Sequence, residues 1–311
     1  MTTAEAIAVE GLSRSFGEID ALDGVSFSIP RGIVFGFLGP NGAGKTTMIR
    51  VLLGLLEPTR GTARVLGCDV PRQAQHVRER TGALLEHAGL YERLNARQNL
   101  EFFGRIWKLP SSERAHRIRE LLERMKLWDR CHEMVGNWSR GMKQKLAVAR
   151  ALLHQPELVF LDEPTAGLDP VAAAELRTDL AGLSRGDGVT VFLTTHNLAE
   201  AEKLCDLVGV IAGGKLRALG TPDELRSQER GKELTVRGRN FASDLVTKLQ
   251  SRPEVVQVKA NALELKMKLE ADADVAPIIR EIVTSGADVE EVVRGKGSLE
   301  EFFIELMEES Q

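Results

Sequence analysis

No stretch of this sequence approaches the roughly 18 uninterrupted apolar residues that a membrane-spanning helix needs. Nor does Met1–Glu10 carry the basic start and apolar core of a secretion signal. An excess of one charge is missing too. With 41 basic residues against 45 acidic ones the net charge is −4, so no global basic field points to nucleic acid. Cysteine is scarce: Cys68, Cys131 and Cys205 are odd in number, far apart and without metal-ligand spacing. Such thiols read as reduced and structural, in a reducing compartment. What remains is a cytosolic chain of 311 residues, 43% hydrophobic and 28% charged, with material for a large domain and a smaller one.

The strongest chemical signal runs from Gly36 to Thr47. Ile33–Leu38 reads as a short buried strand, and Met48–Leu56 as an apolar helix that stops before Pro58. Between them Gly39, Gly44, Lys45 and Thr46 hold the spacing of a phosphate-binding loop, with Pro40, Asn41, Gly42 and Ala43 inside it and Thr47 after it. Glycines let backbone N–H groups curl around a polyphosphate, and the helix N-terminus faces the same anion. Lys45 then reaches the β- and γ-phosphates, and the Thr46 hydroxyl is placed to ligate Mg²⁺. A loop that merely turned the chain would not need Lys45 and Thr46 after Gly44.

A second signal is Leu158-Val-Phe-Leu-Asp-Glu-Pro164, an apolar run ending in two carboxylates. It predicts a central parallel strand that delivers acids at its carboxyl end, where open α/β sheets bind ligands. Asp162 is the candidate partner of Thr46 on Mg²⁺, and Glu163 the candidate to polarise an attacking water. Val189–Leu193 predicts another buried strand, placing His196 at the same edge as Asp162. Phe16 follows a predicted strand, Ile7–Ser15, and has two readings: an exposed ring that stacks on a nucleobase, or ordinary core.

Helices are predicted at Asn95–Trp107 and at Ser111–Leu127, the second capped at Pro110–Ser112 with a stripe of Ile118, Leu121, Leu122 and Met125. A long helix follows Ser139, its expected N-cap. Lys143, Lys145 and Arg150 on it are expected to form a solvated face. Composition shifts after Gly220: a capped helix at Thr221–Leu225, a charged linker over Gln228–Lys232, then strands and helices in the order β-α-β-β-α-β. That order predicts a split, ferredoxin-like α+β unit. In its strand Leu263–Leu269, residues Leu263, Leu265, Met267 and Leu269 are expected on the buried face. The unit has no glycine-rich loop and no cluster of acids or histidines.

These motifs, in this order over about residues 5–225, resemble the ATP-binding subunit of an ABC transporter. Gly39–Thr47 is similar to its Walker A loop, Leu158–Glu163 to Walker B, Ala166–Asp169 to the D-loop and His196 to the switch histidine. Phe16 falls where the family stacks an aromatic on adenine. Trp138-Ser139-Arg140-Gly141-Met142 stands at the signature motif, usually Leu-Ser-Gly-Gly-Gln, and keeps the Ser139 and Gly141 that would cap a γ-phosphate from a facing subunit. Glu86 stands where most members place the Q-loop glutamine. A carboxylate cannot donate as an amide does, but can organise Mg²⁺ or water. The C-terminal unit resembles the appended domain of the subgroup that serves ABC-2-type permeases, mostly exporters.

The resemblance implies an α/β P-loop cassette over residues 1–227, with a parallel-sheet core, an N-terminal antiparallel β subdomain and a helical lobe near residues 90–150. An accessory α+β domain over residues 233–311 follows. It implies ATP and Mg²⁺ as ligands, Lys45, Glu163 and His196 as catalytic groups, and Thr46, Asp162 and Glu86 around the metal. It further implies a second cassette, as a homodimer, and integral-membrane permease subunits that hold the chain at the inner face of the cell membrane. Nucleic acid is not expected as a partner. Two rival readings remain at this stage: a soluble ABC ATPase acting on nucleic acid or ribosomes, and a non-hydrolytic regulatory cassette.

Overall fold

The computed structural model describes residues 5–227, 232–270, 273–295 and 299–308. The expected charged linker lies outside them except for Lys232, as do Gly297 and Ser298 ahead of the last helix. The chain divides into two compact units, Met1–Thr221 and Pro222–Gln311.

The first unit runs β1 (Glu5–Phe16), β2 (Ile19–Pro30), β3 (Val34–Leu38), α1 (Lys45–Leu52), β4 (Arg60–Val65), β5 (Cys68–Asp69), α2 (Val70–Arg80) and β6 (Thr81–Leu84). It continues with α3 (Ala96–Ile106), α4 (Ser111–Arg124), α5 (Arg140–Leu152), β7 (Leu158–Asp162), α6 (Pro170–Asp187), β8 (Thr190–Thr195), α7 (Leu198–Leu204), β9 (Leu207–Ala212) and β10 (Lys215–Gly220). One sheet, in the order β2-β1-β4-β5, is antiparallel throughout. The other has the order β10-β9-β3-β8-β7-β6, parallel except for β10. Strands β3, β7 and β8 are buried at every position, which is why their sequences are continuous apolar runs. Phe35, Phe37, Phe160 and Phe192 stack across them at ring separations of 5.2–6.2 Å, joined from β2 by Phe27.

Helices α3, α4 and α5 fill the span between β6 and β7, the expected helical lobe. The α3 start is a capping box: Gln98 N–H donates to Asn95 Oδ1 at 2.8 Å, and Asn95 N–H to Gln98 Oε1 at 3.0 Å. The stripe Ile118, Leu121, Leu122 and Met125 is buried as expected. The cap expected within Pro110–Ser112 falls on the first of these residues. Pro110 takes the N-cap position with no side-chain bond, because its fixed φ of −55° already sets the chain's entry into the helix.

The solvated face expected for Lys145 and Arg150 is a further correction. Lys145 is buried, its Nζ 2.5 Å from Glu175 and 3.9 Å from Asp179 of α6. Arg150 donates to the Ala83 carbonyl at 3.1 Å and covers the Phe103 ring. Both side chains look outward on a wheel drawn for α5 alone, but α6 and β6 cover them. Burial raises the Asp179 carboxyl above its ordinary range, and its Oδ2 has no hydrogen-bond partner. Lys145→Met should therefore destabilise the first unit by about 3 kcal/mol at neutral pH, since it breaks the buried bond to Glu175 and takes from Asp179 the strongest of the cations that offset its charge. An acid whose folded pKa is raised weakens the fold only when ionised, so the deficit should shrink as pH falls through that pKa. Urea midpoints of wild type and variant at steps from pH 7 into the acid range check this; a gap that stays constant throughout would show that lost packing is the cause.

The second unit opens with α8 (Pro222–Ser227), which contacts α11 (Leu299–Glu308) and so groups here, a few residues before the boundary expected from the sequence. Between them lie β11 (Lys232–Arg239), α9 (Ser243–Gln250), β12 (Val255–Ala260), β13 (Glu264–Leu269), α10 (Val275–Thr284) and β14 (Asp288–Gly295). The sheet, in the order β12-β13-β11-β14, is antiparallel, the pairing of a split, ferredoxin-like β-α-β-β-α-β unit. Leu265, Met267 and Leu269 face a core with Leu249 and Ile278. Leu263 does not: it is 64% exposed, held in the turn before β13 by its N–H bond to Asn261 Oδ1.

Candidate functional site

The phosphate loop is shaped by what surrounds it. A Cβ at Gly39 would come within 2.4 Å of the Ile211 carbonyl oxygen, and one at Gly44 within 2.3 Å of that of Ala21. Gly44 also has a φ of +107°, so both glycines are required by close approach and one by conformation as well. The helix expected from Met48 starts at Lys45 and ends at Leu52, so the loop's last residues are its first turn. Lys45 is buried and arches back: Nζ donates to the Gly39 carbonyl at 2.7 Å and the Pro40 carbonyl at 3.2 Å, and lies 3.2 Å from Glu163 Oε1.

Asp162 arrives from the end of β7, in register with Thr194 of β8. Its two oxygens are both engaged. Thr46 Oγ1 donates to Oδ2 at 2.7 Å, and Thr194 Oγ1 to Oδ1 at 2.5 Å. Glu163 follows in the left-handed region at φ +50°, a conformation uncommon for a residue with a side chain. Its N–H bonds to Thr194 at both the carbonyl (3.2 Å) and Oγ1 (3.0 Å), and its carboxylate reaches Lys45 on one side and His196 Nδ1 (2.8 Å) on the other. Parallel register therefore brings Lys45, Thr46, Asp162, Glu163 and His196 together from three strands. Thr194 was not singled out from the sequence; the only signal for it was a hydroxyl in an apolar strand.

A cavity of about 350 Å³ opens here. Pro40, Asn41, Gly42, Gly44, Lys45, Thr46 and Thr47 line it, with Asp162 and Glu163 opposite. Gly39 and Ala43 support the loop from behind. His196 lines an adjoining cavity that shares Glu163. Thr46 and Asp162 present a hydroxyl and a carboxylate oxygen side by side, a donor set that suits Mg²⁺ when phosphate and water oxygens complete its shell. Glu86 also lines the cavity, though its carboxylate is paired with Arg50 at 3.2 Å.

Three more expected residues lie apart from this lining. Phe16 is 46% exposed, so it is not core; its ring carries the Arg14 guanidinium at 4.6 Å. Ser139 caps α5, accepting from Met142 N–H at 3.3 Å, and neither it nor Gly141 lines the cavity. In their place Arg140 and Gln144 do, residues that no motif role had marked.

The profile of the ABC transporter family matches residues 22–166, and that of the ATP-binding protein DrrA1-3-like, C-terminal domain matches residues 220–307. The chain is 40% identical to the daunorubicin resistance ATP-binding protein DrrA3 of Streptomyces coeruleorubidus, over 97% of this chain and 95% of that one. It is 33% identical to the bacitracin transport ATP-binding protein BcrA of Bacillus licheniformis, over 97% of each. Among solved structures, the dimeric, post-hydrolysis state of the ATP-binding cassette MJ0796 with ADP and Pi superposes with a TM-score of 0.62 at 25% identity, over 69% of this chain and 98% of that one.

Proposed function

This chain belongs to the ATP-binding subunits of ABC transporters, and from that membership we propose that it drives an ABC-2-type exporter by Mg²⁺-dependent ATP hydrolysis in a dimer of cassettes. One observation carries the site assignment: Thr46 and Asp162 share a 2.7 Å hydrogen bond while Glu163 stands 3.2 Å from Lys45. Together they supply metal ligands, a base and a phosphate-binding cation at one sheet edge.

In this reading the loop N–H groups and Lys45 hold the phosphates of ATP. Mg²⁺, when bound by Thr46 and Asp162, neutralises charge on the β- and γ-phosphate oxygens. Glu163 accepts a proton from the attacking water, and the imidazole of His196 holds that carboxylate in place. Ser139 and Gly141, away from their own chain's cavity, suit a γ-phosphate bound by a second copy. Glu86, tied to Arg50, acts on the lobe side of the cavity rather than as a metal ligand.

Among the described residues no helix is long and apolar enough to cross a membrane. The reading therefore assigns the membrane path to separate permease subunits and places this chain against them at the inner face of the membrane. The named drug-resistance and bacitracin-transport relatives span almost the whole chain, tail included, which supports an exporter over an ATPase acting on nucleic acid.

The test is ATP hydrolysis by the full chain over a concentration series. Specific activity should rise with protein concentration and level off as dimers fill. Activity independent of concentration over a hundredfold range would rule out a site completed by a second copy.

A further inference from the structure

Glu163 stands on the loop between β7 and α6, and His196 on the turn between β8 and α7. The two strands are paired as far as Asp162 and Thr194. Past that point both connections leave the sheet, and Glu200 of α7 bridges them. Its Oε2 accepts from Thr165 Oγ1, two residues after Glu163, at 2.5 Å. Its Oε1 accepts from Arg177 Nη1 of α6 at 2.7 Å, so both oxygens of a largely buried carboxylate are engaged. Neither Glu200 nor Thr165 lines the phosphate cavity. They line the adjoining one, of about 370 Å³, with Glu163, Arg177 and His196.

The imidazole of His196 has little else to hold it. Its side chain is 58% exposed, and among the described residues its ring has one hydrogen bond, from Nδ1 to Glu163 at 2.8 Å. Such a ring keeps its place only while the two backbones that carry the pair keep theirs. A misplacement of about 1 Å at a reacting centre can cost about a hundredfold in rate. The sheet fixes the two segments ahead of Glu163 and His196. The Thr165–Glu200 bond fixes them behind, and Arg177 sets the direction of the carboxylate that makes it.

We propose that Glu200 and Thr165 are positioning residues for hydrolysis: their bond holds the loop of Glu163 against the segment of His196 and so keeps the imidazole on the base. The proposal rests on the reading above, in which Glu163 takes the proton and His196 holds it in place.

Thr165→Val tests it, because valine keeps the size of the side chain, removes the hydroxyl and leaves the Glu200–Arg177 pair alone. In the full chain kcat should fall about fivefold to tenfold, with KM for ATP within about twofold of wild type. Thr165→Ala should match it. Thr165→Ser, which brings the hydroxyl back, should recover kcat to within about twofold. No loss with valine, or no recovery with serine, would overturn the proposal. A second readout needs no turnover: the ¹⁵N resonance of His196 Nδ1, identified by its absence from His196→Gln. In Thr165→Val it should move toward its position in Glu163→Ala, where the bond has no acceptor, and in Thr165→Ser it should stay. An unmoved resonance in the valine variant overturns this proposal and leaves the reading of the site standing. A moved resonance with unchanged kcat would show that turnover does not need the contact, which overturns the role given to His196 and this proposal with it.

Discussion

Glu163→Gln should bind ATP as the wild type does and hydrolyse it at least about a hundred times more slowly. The amide has the size and planarity of the carboxylate, so the backbone bonds to Thr194 that hold position 163 in its left-handed conformation are untouched. One amide oxygen can still accept from His196 or Lys45. What disappears is a negative oxygen able to take a proton, together with the ion pair to Lys45. Removing that charge leaves the lysine freer to hold phosphate, so affinity for ATP should be preserved or modestly raised. Phosphate release at saturating ATP, set beside the nucleotide's dissociation constant, separates the two effects. Turnover within tenfold of wild type would transfer the role of base to another group.

Phe192→Ala should cost the first unit about 3–5 kcal/mol, because a fully buried ring is replaced by a cavity that a parallel sheet cannot easily collapse. The ring lies at 5.2 Å from Phe35, 5.7 Å from Phe37 and 5.4 Å from Phe160, so its loss strips contacts from both neighbouring strands, β3 and β7, at once. Phe192→Leu, which keeps much of the volume, should cost roughly half as much. Thr194, two residues along the same strand, orients Asp162. The alanine variant should for that reason also lose affinity for Mg²⁺-ATP before it unfolds. Shifts in urea midpoint measure the first effect and nucleotide titration at low urea the second. A cost below about 1 kcal/mol would mean that β8 closes the gap by moving, and nucleotide affinity should then fall the more.

The grouping of these residues was legible because each part of the candidate site is written as a short local pattern. The phosphate loop is contiguous, Asp162 and Glu163 end an apolar run, and Ser139 sits where a cap belongs. The parallel sheet could be inferred from its strands, since full burial on both faces leaves an apolar run in sequence. What escaped depends on partners distant along the chain. Lys145 and Arg150 occupy polar positions on an isolated helix, and only α6 and β6 make them interior. Thr194 acquires its role from its register with Asp162. Glu86 gains Arg50 as a partner, which spacing alone does not suggest. Leu263 obeyed the alternation of its strand, but the strand begins one residue later. Arg140 was noticed as a departure from a motif, while its place beside Gly167 needed the fold.

The order of the central sheet also governs how this protein is made. Strand β3, which leads into the phosphate loop, pairs with β8 on one edge and β9 on the other. Both partners are encoded more than 150 residues later. At typical synthesis rates of about 5–20 residues per second, a nascent chain carries β3 with neither edge paired for roughly ten to thirty seconds. The antiparallel strands β1 and β2 emerge first, and Phe27 of β2 stacks on Phe35 and Phe37 of β3 at 5.7 and 5.8 Å. That ring shields one face of the waiting strand, while its edges stay open to chaperones or to neighbouring nascent chains. Overproduction should therefore tax the ribosome-bound protein more than the finished one, and slower translation between residues 39 and 190 should lower the soluble yield.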